Sequence, residues 1–114
     1  MSSLPTCKLK VIQFKGQEKI TSKNFKFLID TGSENSFIKS DIVIKYGLEQ
    51  TPRKNAMIVG NAAGSTMARI TDEIRCDIEV TGPRNRIFVS NIELDVWNTQ
   101  LSYDGILGYK IYRY

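Results

Sequence analysis

Phe27-Leu28-Ile29-Asp30-Thr31-Gly32-Ser33 is the stretch on which the fold turns. An apolar run ends in a carboxylate, and Thr, Gly and Ser follow it. Phe25, Phe27 and Ile29 alternate with polar or opposite-facing residues, the period of a β-strand. Such a strand delivers Asp30 to the edge of an apolar core. Gly32 permits a tight turn and the close approach of another backbone. Thr31 offers a hydroxyl to a neighbouring main chain. Ser33 is placed to donate a hydrogen bond to Asp30, which favours the ionised form. Alone, these residues also make an ordinary strand-to-turn junction. Their company is what raises a functional reading: the apolar prefix, a small and glycine-bracketed segment at Gly60–Ser65, and Asp104-Gly105-Ile106-Leu107-Gly108 near the end.

Outward from this stretch the chain reads as short strands divided by turns. Leu9 to Phe14 is one strand and Lys15-Gly16-Gln17-Glu18 a turn. Ser36-Phe37-Ile38 is a short extended piece. Ser40 can cap a helix start and Gly47 can end it, giving one or two helical turns between them. Met57-Ile58-Val59 is β-prone and leads into a hairpin tip at Gly60–Ser65. Thr66 to Ile70, Ile74 to Val80, Ile87 to Val89, and Ile92, Leu94 and Val96 continue as strands, with a turn at Thr81–Asn85. Many short strands with little helix predict an all-β sandwich or barrel.

The chain has 114 residues, enough for a single domain over 1–114 with one core. Apolar residues are 41% and charged residues 25%, which argues against disorder. No apolar run approaches a membrane span, and no secretory signal opens the chain. Histidine is absent, which removes Ser-His-Asp triads, Cys-His pairs and His-ligated zinc from consideration. Cys7 and Cys76 are the only cysteines, too few for a four-cysteine zinc site; they read as free thiols in a reducing compartment. Any chemistry must come from carboxylates, hydroxyls or lysines. The net charge of +4 divides into +5 over residues 1–26 and −1 over the rest. Lys8, Lys10 and Lys26 alternate with Leu9, Val11, Phe25 and Phe27, as on the wet face of strands. Nucleic-acid binding is the weakest reading of that charge, since no aromatic residues are interleaved on a binding face.

Leu28-Ile29-Asp30-Thr31-Gly32-Ser33, the order of elements after it, and Asp104-Gly105-Ile106-Leu107-Gly108 together resemble a retropepsin-type aspartic protease of retroviruses and LTR retrotransposons. The wording of the last segment is similar to gypsy-type elements. The resemblance covers nearly the whole chain, from about Leu9 to Gly108. It implies a closed, mostly antiparallel barrel with one or two short helices, forming a homodimer with a shared active site. Asp30 would be catalytic, and Thr31, Gly32, Ser33, Ile106, Leu107 and Gly108 would support its loop. Glu34 and Asn35 would lie near the substrate main chain. Gly60, Asn61, Ala62, Ala63 and Gly64 would form a mobile flap over bound peptide. No cofactor or metal is implied. The implied partners are a second copy and a polypeptide substrate such as a Gag-Pol-type polyprotein, in the cytoplasm or within virus-like particles. Many members carry an Arg soon after the second Gly of the late segment, paired with an acidic residue beside the catalytic loop. Here Tyr109-Lys110 follows, with Arg113 later, so Glu34 lacks that usual partner and Lys110 is no more than a candidate substitute. Six residues follow Gly108, too few to add an interface strand beyond a short helix, so a weak, concentration-dependent dimer is expected. A catalytically silent dimerisation or protein-binding module is the alternative reading.

Overall fold

The structure, a computed structural model, describes residues 5–21, 23–30, 32–60, 67–82, 84–99 and 102–112. Its elements are β1 (Thr6–Lys15), β2 (Glu18–Thr21), β3 (Phe25–Asp30), β4 (Phe37–Lys39), α1 (Ser40–Lys45), β5 (Gln50–Gly60), β6 (Met67–Thr81), β7 (Arg86–Trp97), β8 (Gly105–Gly108) and α2 (Tyr109–Tyr112). The strands run in the order β2-β1-β3-β8-β4-β7-β6-β5, and β1 also pairs with β6. That extra pairing closes β1, β3, β8, β4, β7 and β6 into a six-stranded barrel. β2 and β5 are appended as edge strands. The β3–β8 and β4–β7 pairs are parallel and the others antiparallel. The expected closed, mostly antiparallel all-β barrel is therefore the observed fold.

Alternation explains the barrel interior. Leu9 and Val11 of β1, Phe25 and Phe27 of β3, and Ile74, Cys76 and Ile78 of β6 all point inward and are buried. Burying each such side chain contributes about 1.5–3 kcal/mol. The intervening lysines, Lys8 and Lys26 among them, are exposed, as expected for the wet face. Strand β7 needs one adjustment. Val89 and Ile92 are both buried, although three residues apart they should face opposite sides. The β6–β7 register slips between Cys76 and Ile78, and Asn91 opposite takes a positive φ of 56°. The Asn91 N–H donates to Asp77 Oδ1 at 2.8 Å, holding this bulge. The two stretches read separately from sequence are thus one bulged strand, and the two within β6 are one continuous strand.

Three other expectations needed correction. Glu18–Thr21 is a strand rather than only the end of a turn; Gly16, at φ +60°, reverses the chain so that Lys15 and Glu18 pair. Strand β5 begins at Gln50, well before Met57. Helix α1 is capped by Lys39 in extended conformation, without a side-chain capping bond, so Ser40 is the first helical residue and not the cap. Gly47 does end the helical region, at φ +64°.

The two cysteines are free. Burial, and secondarily the Asp77 charge, pushes the Cys76 thiol up to about 12, and burial also raises Cys7. Both are poor nucleophiles in the folded chain. Trp97 packs against Phe37 with ring centroids 5.3 Å apart. That pair belongs to a second apolar cluster of Phe37, Ile70 and Ile106, with Leu28, Met57 and Val59 against it.

Candidate active site

Asp30 is the last residue of β3 and lies half-buried beside β8, whose residues Ile106, Leu107 and Gly108 register against Leu28, Ile29 and Asp30. The apolar pair of the late segment is buried, so it anchors the strand that carries the carboxylate. Past Asp30 the chain turns at once. The Ser33 N–H donates to the Asp30 carbonyl at 3.0 Å, and the Gly32 N–H donates to Asp30 Oδ1 at 3.0 Å. A Cβ on Gly32 would lie 3.3 Å from that same oxygen. Gly32 therefore acts by letting its amide reach the neighbouring carboxylate, rather than by a left-handed turn.

Ser33 does not play the expected part. Its hydroxyl donates to the Asn35 carbonyl at 2.8 Å, closing the loop on itself. The backbone turn Asp30–Ser33 gives the carboxylate an amide donor instead of a hydroxyl. Ser33→Ala should therefore cost about 1 kcal/mol of stability, the usual worth of such a bond. The acidic limb of a pH–rate profile should stay where it is in the wild type. Thermal unfolding and pH–rate measurements on this variant check both statements.

Gly108 is where the two halves of the site touch. Its N–H donates to the buried Ser36 hydroxyl oxygen at 2.8 Å, and the next amide, of Tyr109, donates to the Ser33 carbonyl at 2.9 Å. A Cβ at Gly108 would fall 2.3 Å from the Asn35 carbonyl oxygen and 2.7 Å from that of Ser33. Ser36 was not foreseen: the bond spans 72 positions, and nothing local marks the residue. Glu34 and Lys110 do meet, Oε1 to Nζ at 3.3 Å, so the candidate lysine is the partner of Glu34 in the fold. Both side chains are more than half exposed, and such a pair is worth less than about 1 kcal/mol.

Asn35 faces the hairpin strand, its Nδ2 lying 3.1 Å from the Met57 sulfur. Gly60 ends β5 opposite Met67 of β6. Asn61, Ala62, Ala63 and Gly64 lie outside the described residues, as does Thr31. Arg53 and Asp95 were also missed. Arg53 of β5 forms an ion pair with the buried Asp95 of β7, whose N–H donates to the Ser36 carbonyl at 2.9 Å. Burial raises the Asp95 carboxyl above its usual range, with Arg53 pulling it back, Glu93 pushing it up and Lys110 lowering it. An acidic residue between Leu94 and Val96 is the only local signal for it.

A carboxylate on a turn of this kind can accept a proton from water, but alone it cannot also protonate the group that the water attacks. The model of the family described as gag-polyprotein putative aspartyl protease matches residues 17–113. No curated protein matches the chain. The match takes in the Asp30 turn, the β5–β6 hairpin and the Gly105–Gly108 strand, and the chain belongs to this gag-type aspartyl protease family.

Proposed function

We propose that the protein is an aspartic endopeptidase that works as a homodimer, cutting a Gag-Pol-type polyprotein between residues with apolar side chains. The observation that carries the reading is Asp30, half-exposed at the end of a buried strand, with one Asp-Thr-Gly in the whole chain. One carboxyl group cannot serve as base and acid in the same step. Two brought together by a two-fold axis share one proton, because both cannot ionise at close range. The ionised Asp30 of the pair takes a proton from water as the oxygen bonds to the scissile carbonyl carbon. The protonated Asp30 gives its proton to the carbonyl oxygen. Collapse of the tetrahedral species breaks the C–N bond as the amine takes a proton from the first carboxyl group and one hydroxyl of the gem-diol gives its proton to the second carboxylate, so the pair again shares one proton. The pair titrates as a unit. Half-buried Leu28, Met57 and Val59 pack against the Phe37–Ile70–Ile106 cluster, an apolar surface between β3 and the β5–β6 hairpin that supports the preference for apolar side chains. The β5–β6 hairpin, with Gly60 at the end of β5, is read as the flap that closes over the peptide.

The test is cleavage of a mixed peptide library over a pH series from about 4 to 7. Cleavage should occur, and activity per chain should rise with protein concentration as dimers form. Absence of cleavage at high concentration, with the chain folded and dimeric, would leave a protein-binding module in place of the enzyme.

A further inference from the structure

Strand β5 leaves β6 in the middle. Gln50 to Pro52 pair with β6, and pairing resumes only at Met57, so Arg53 to Ala56 stand opposite a single residue, Thr71. A bulge of this size is a weak point in the strand that carries the hairpin. Lys54, Asn55 and Ala56 are exposed, whereas Arg53 turns inward. Its guanidinium is fixed twice. Nε donates to the Asn55 carbonyl at 3.0 Å, within the bulge itself, and Nη1 donates to the Asp95 carboxylate. Asp95 sits between Glu73 of β6 and Phe37 of β4 in the sheet register, and its own amide is bonded to Ser36. The far end of the bulge is tied to the same segment, through Met57 and Asn35. Both ends of the bulge thus connect to residues 35–37, immediately after the Asp30 turn.

We infer that Arg53 and Asp95 are positioning residues, whose ion pair sets the root of the β5–β6 hairpin relative to the Asp30 loop and so determines how tightly the hairpin closes on a peptide. In its catalytic form the inference rests on the endopeptidase reading above. The pair is suited to the task. The Asp95 side chain is only 5% exposed and that of Arg53 22%, so solvent screens their attraction little. The other charged groups around Asp95 are Glu93 beside it on β7, Glu73 on β6 and Lys110 on α2. Glu93 is itself paired with Arg75, so Arg53 is the cation bonded to Asp95. Asp30 is held by pairing to β8 and by the Gly32 amide, bonds in which neither the Arg53 nor the Asp95 side chain takes part, so the chemistry should survive loss of the pair while substrate closure should not.

The experiment compares wild type with Arg53→Met, Asp95→Asn, their combination, and Arg53→Lys. Peptide kinetics and amide hydrogen exchange are measured on each. Each single variant should raise KM about tenfold while kcat changes less than about threefold, since a lost closure contact is felt in binding. The double variant should be no worse than the poorer single one, because both remove the same interaction. Arg53→Lys, keeping the charge without the fork, should recover part of the loss. Exchange should quicken about tenfold at residues 50–60 and 35–37 and stay unchanged in β1 and β3. Should a single variant fail to fold, Arg53→Gln, which keeps the stem and a donor, carries the same comparison. Unchanged KM and unchanged β5 exchange in folded variants would overturn the inference. So would additive effects, a fall in kcat at constant KM, or exchange that quickens uniformly over the barrel. If the wild type cuts no peptide, the endopeptidase reading fails, and the exchange data alone decide whether the pair holds the hairpin root.

Discussion

Asp30→Asn is expected to abolish peptide cleavage and leave the barrel intact. The amide cannot take a proton from water, so neither half of the proposed pair could begin the reaction. Each proton-transfer group is worth about 10²–10⁴-fold, and a dimer of the variant lacks both, so a loss of roughly 10⁴-fold or more is expected. Stability should barely move. The side chain is half-exposed, and its oxygen can still accept from the Gly32 amide. Mixing gives the sharper result. An equal mixture of wild-type and variant chains should leave about one dimer in four with two carboxylates, so activity per chain should fall to about a quarter. Activity falling only to half would mean that a chain acts alone, against the homodimer. Cleavage that persists in pure Asp30→Asn would place the chemistry elsewhere. Circular dichroism and thermal unfolding establish that the variant is folded, and peptide kinetics supply the rest.

Much of this site was legible because its key parts are local. Asp30, Gly32 and the Ile106-Leu107-Gly108 triplet each sit in a short pattern whose residue types are dictated by the strand and turn they form. The barrel was legible for the same reason: Leu9, Val11, Phe25, Phe27 and Ile78 alternate cleanly. What escaped reading depends on geometry between distant segments. Ser33 has two acceptors within reach in sequence terms, and only the turn at Asp30–Ser33 decides for the Asn35 carbonyl. The first half of strand β5 is polar, so only Met57–Val59 stands out as β-prone in the sequence. That half is an edge, paired on one side through Gln50, Thr51 and Pro52, and needs no apolar alternation. The one-residue shift of phase in β7 hides in Asn91, an unremarkable polar residue until its positive φ is seen. Arg53 and Asp95 are 42 positions apart, each looking like surface charge, and only the β7-β6-β5 order of the sheet brings them together.

Gly108→Ala carries the largest expected loss of stability. The Gly108 backbone lies outside the left-handed region, so alanine meets no conformational penalty there, and the whole cost is steric. The added Cβ would stand 2.3 Å from the Asn35 carbonyl oxygen and 2.8 Å from its carbon, backbone atoms that no side-chain rotation can move aside. Either β8 withdraws from β3 or the Ser33–Asn35 loop is pushed outward. Both responses strain the Gly108-to-Ser36 and Tyr109-to-Ser33 hydrogen bonds. Overpacking with lost hydrogen bonds costs about 3 kcal/mol. In a domain of this size that lowers Tm by roughly 12–20 °C. Gly16→Ala is the matched comparison. Gly16 holds a φ of +60° with open space around it, so its substitution costs only the left-handed backbone penalty of about 1–2 kcal/mol. Because Gly108 registers against Asp30, its variant should also lose peptidase activity at temperatures where it remains folded, whereas Gly16→Ala should keep it. Equal Tm values for the two variants would show that the loop yields freely to β8, and that the late glycine does not brace the Asp30 turn.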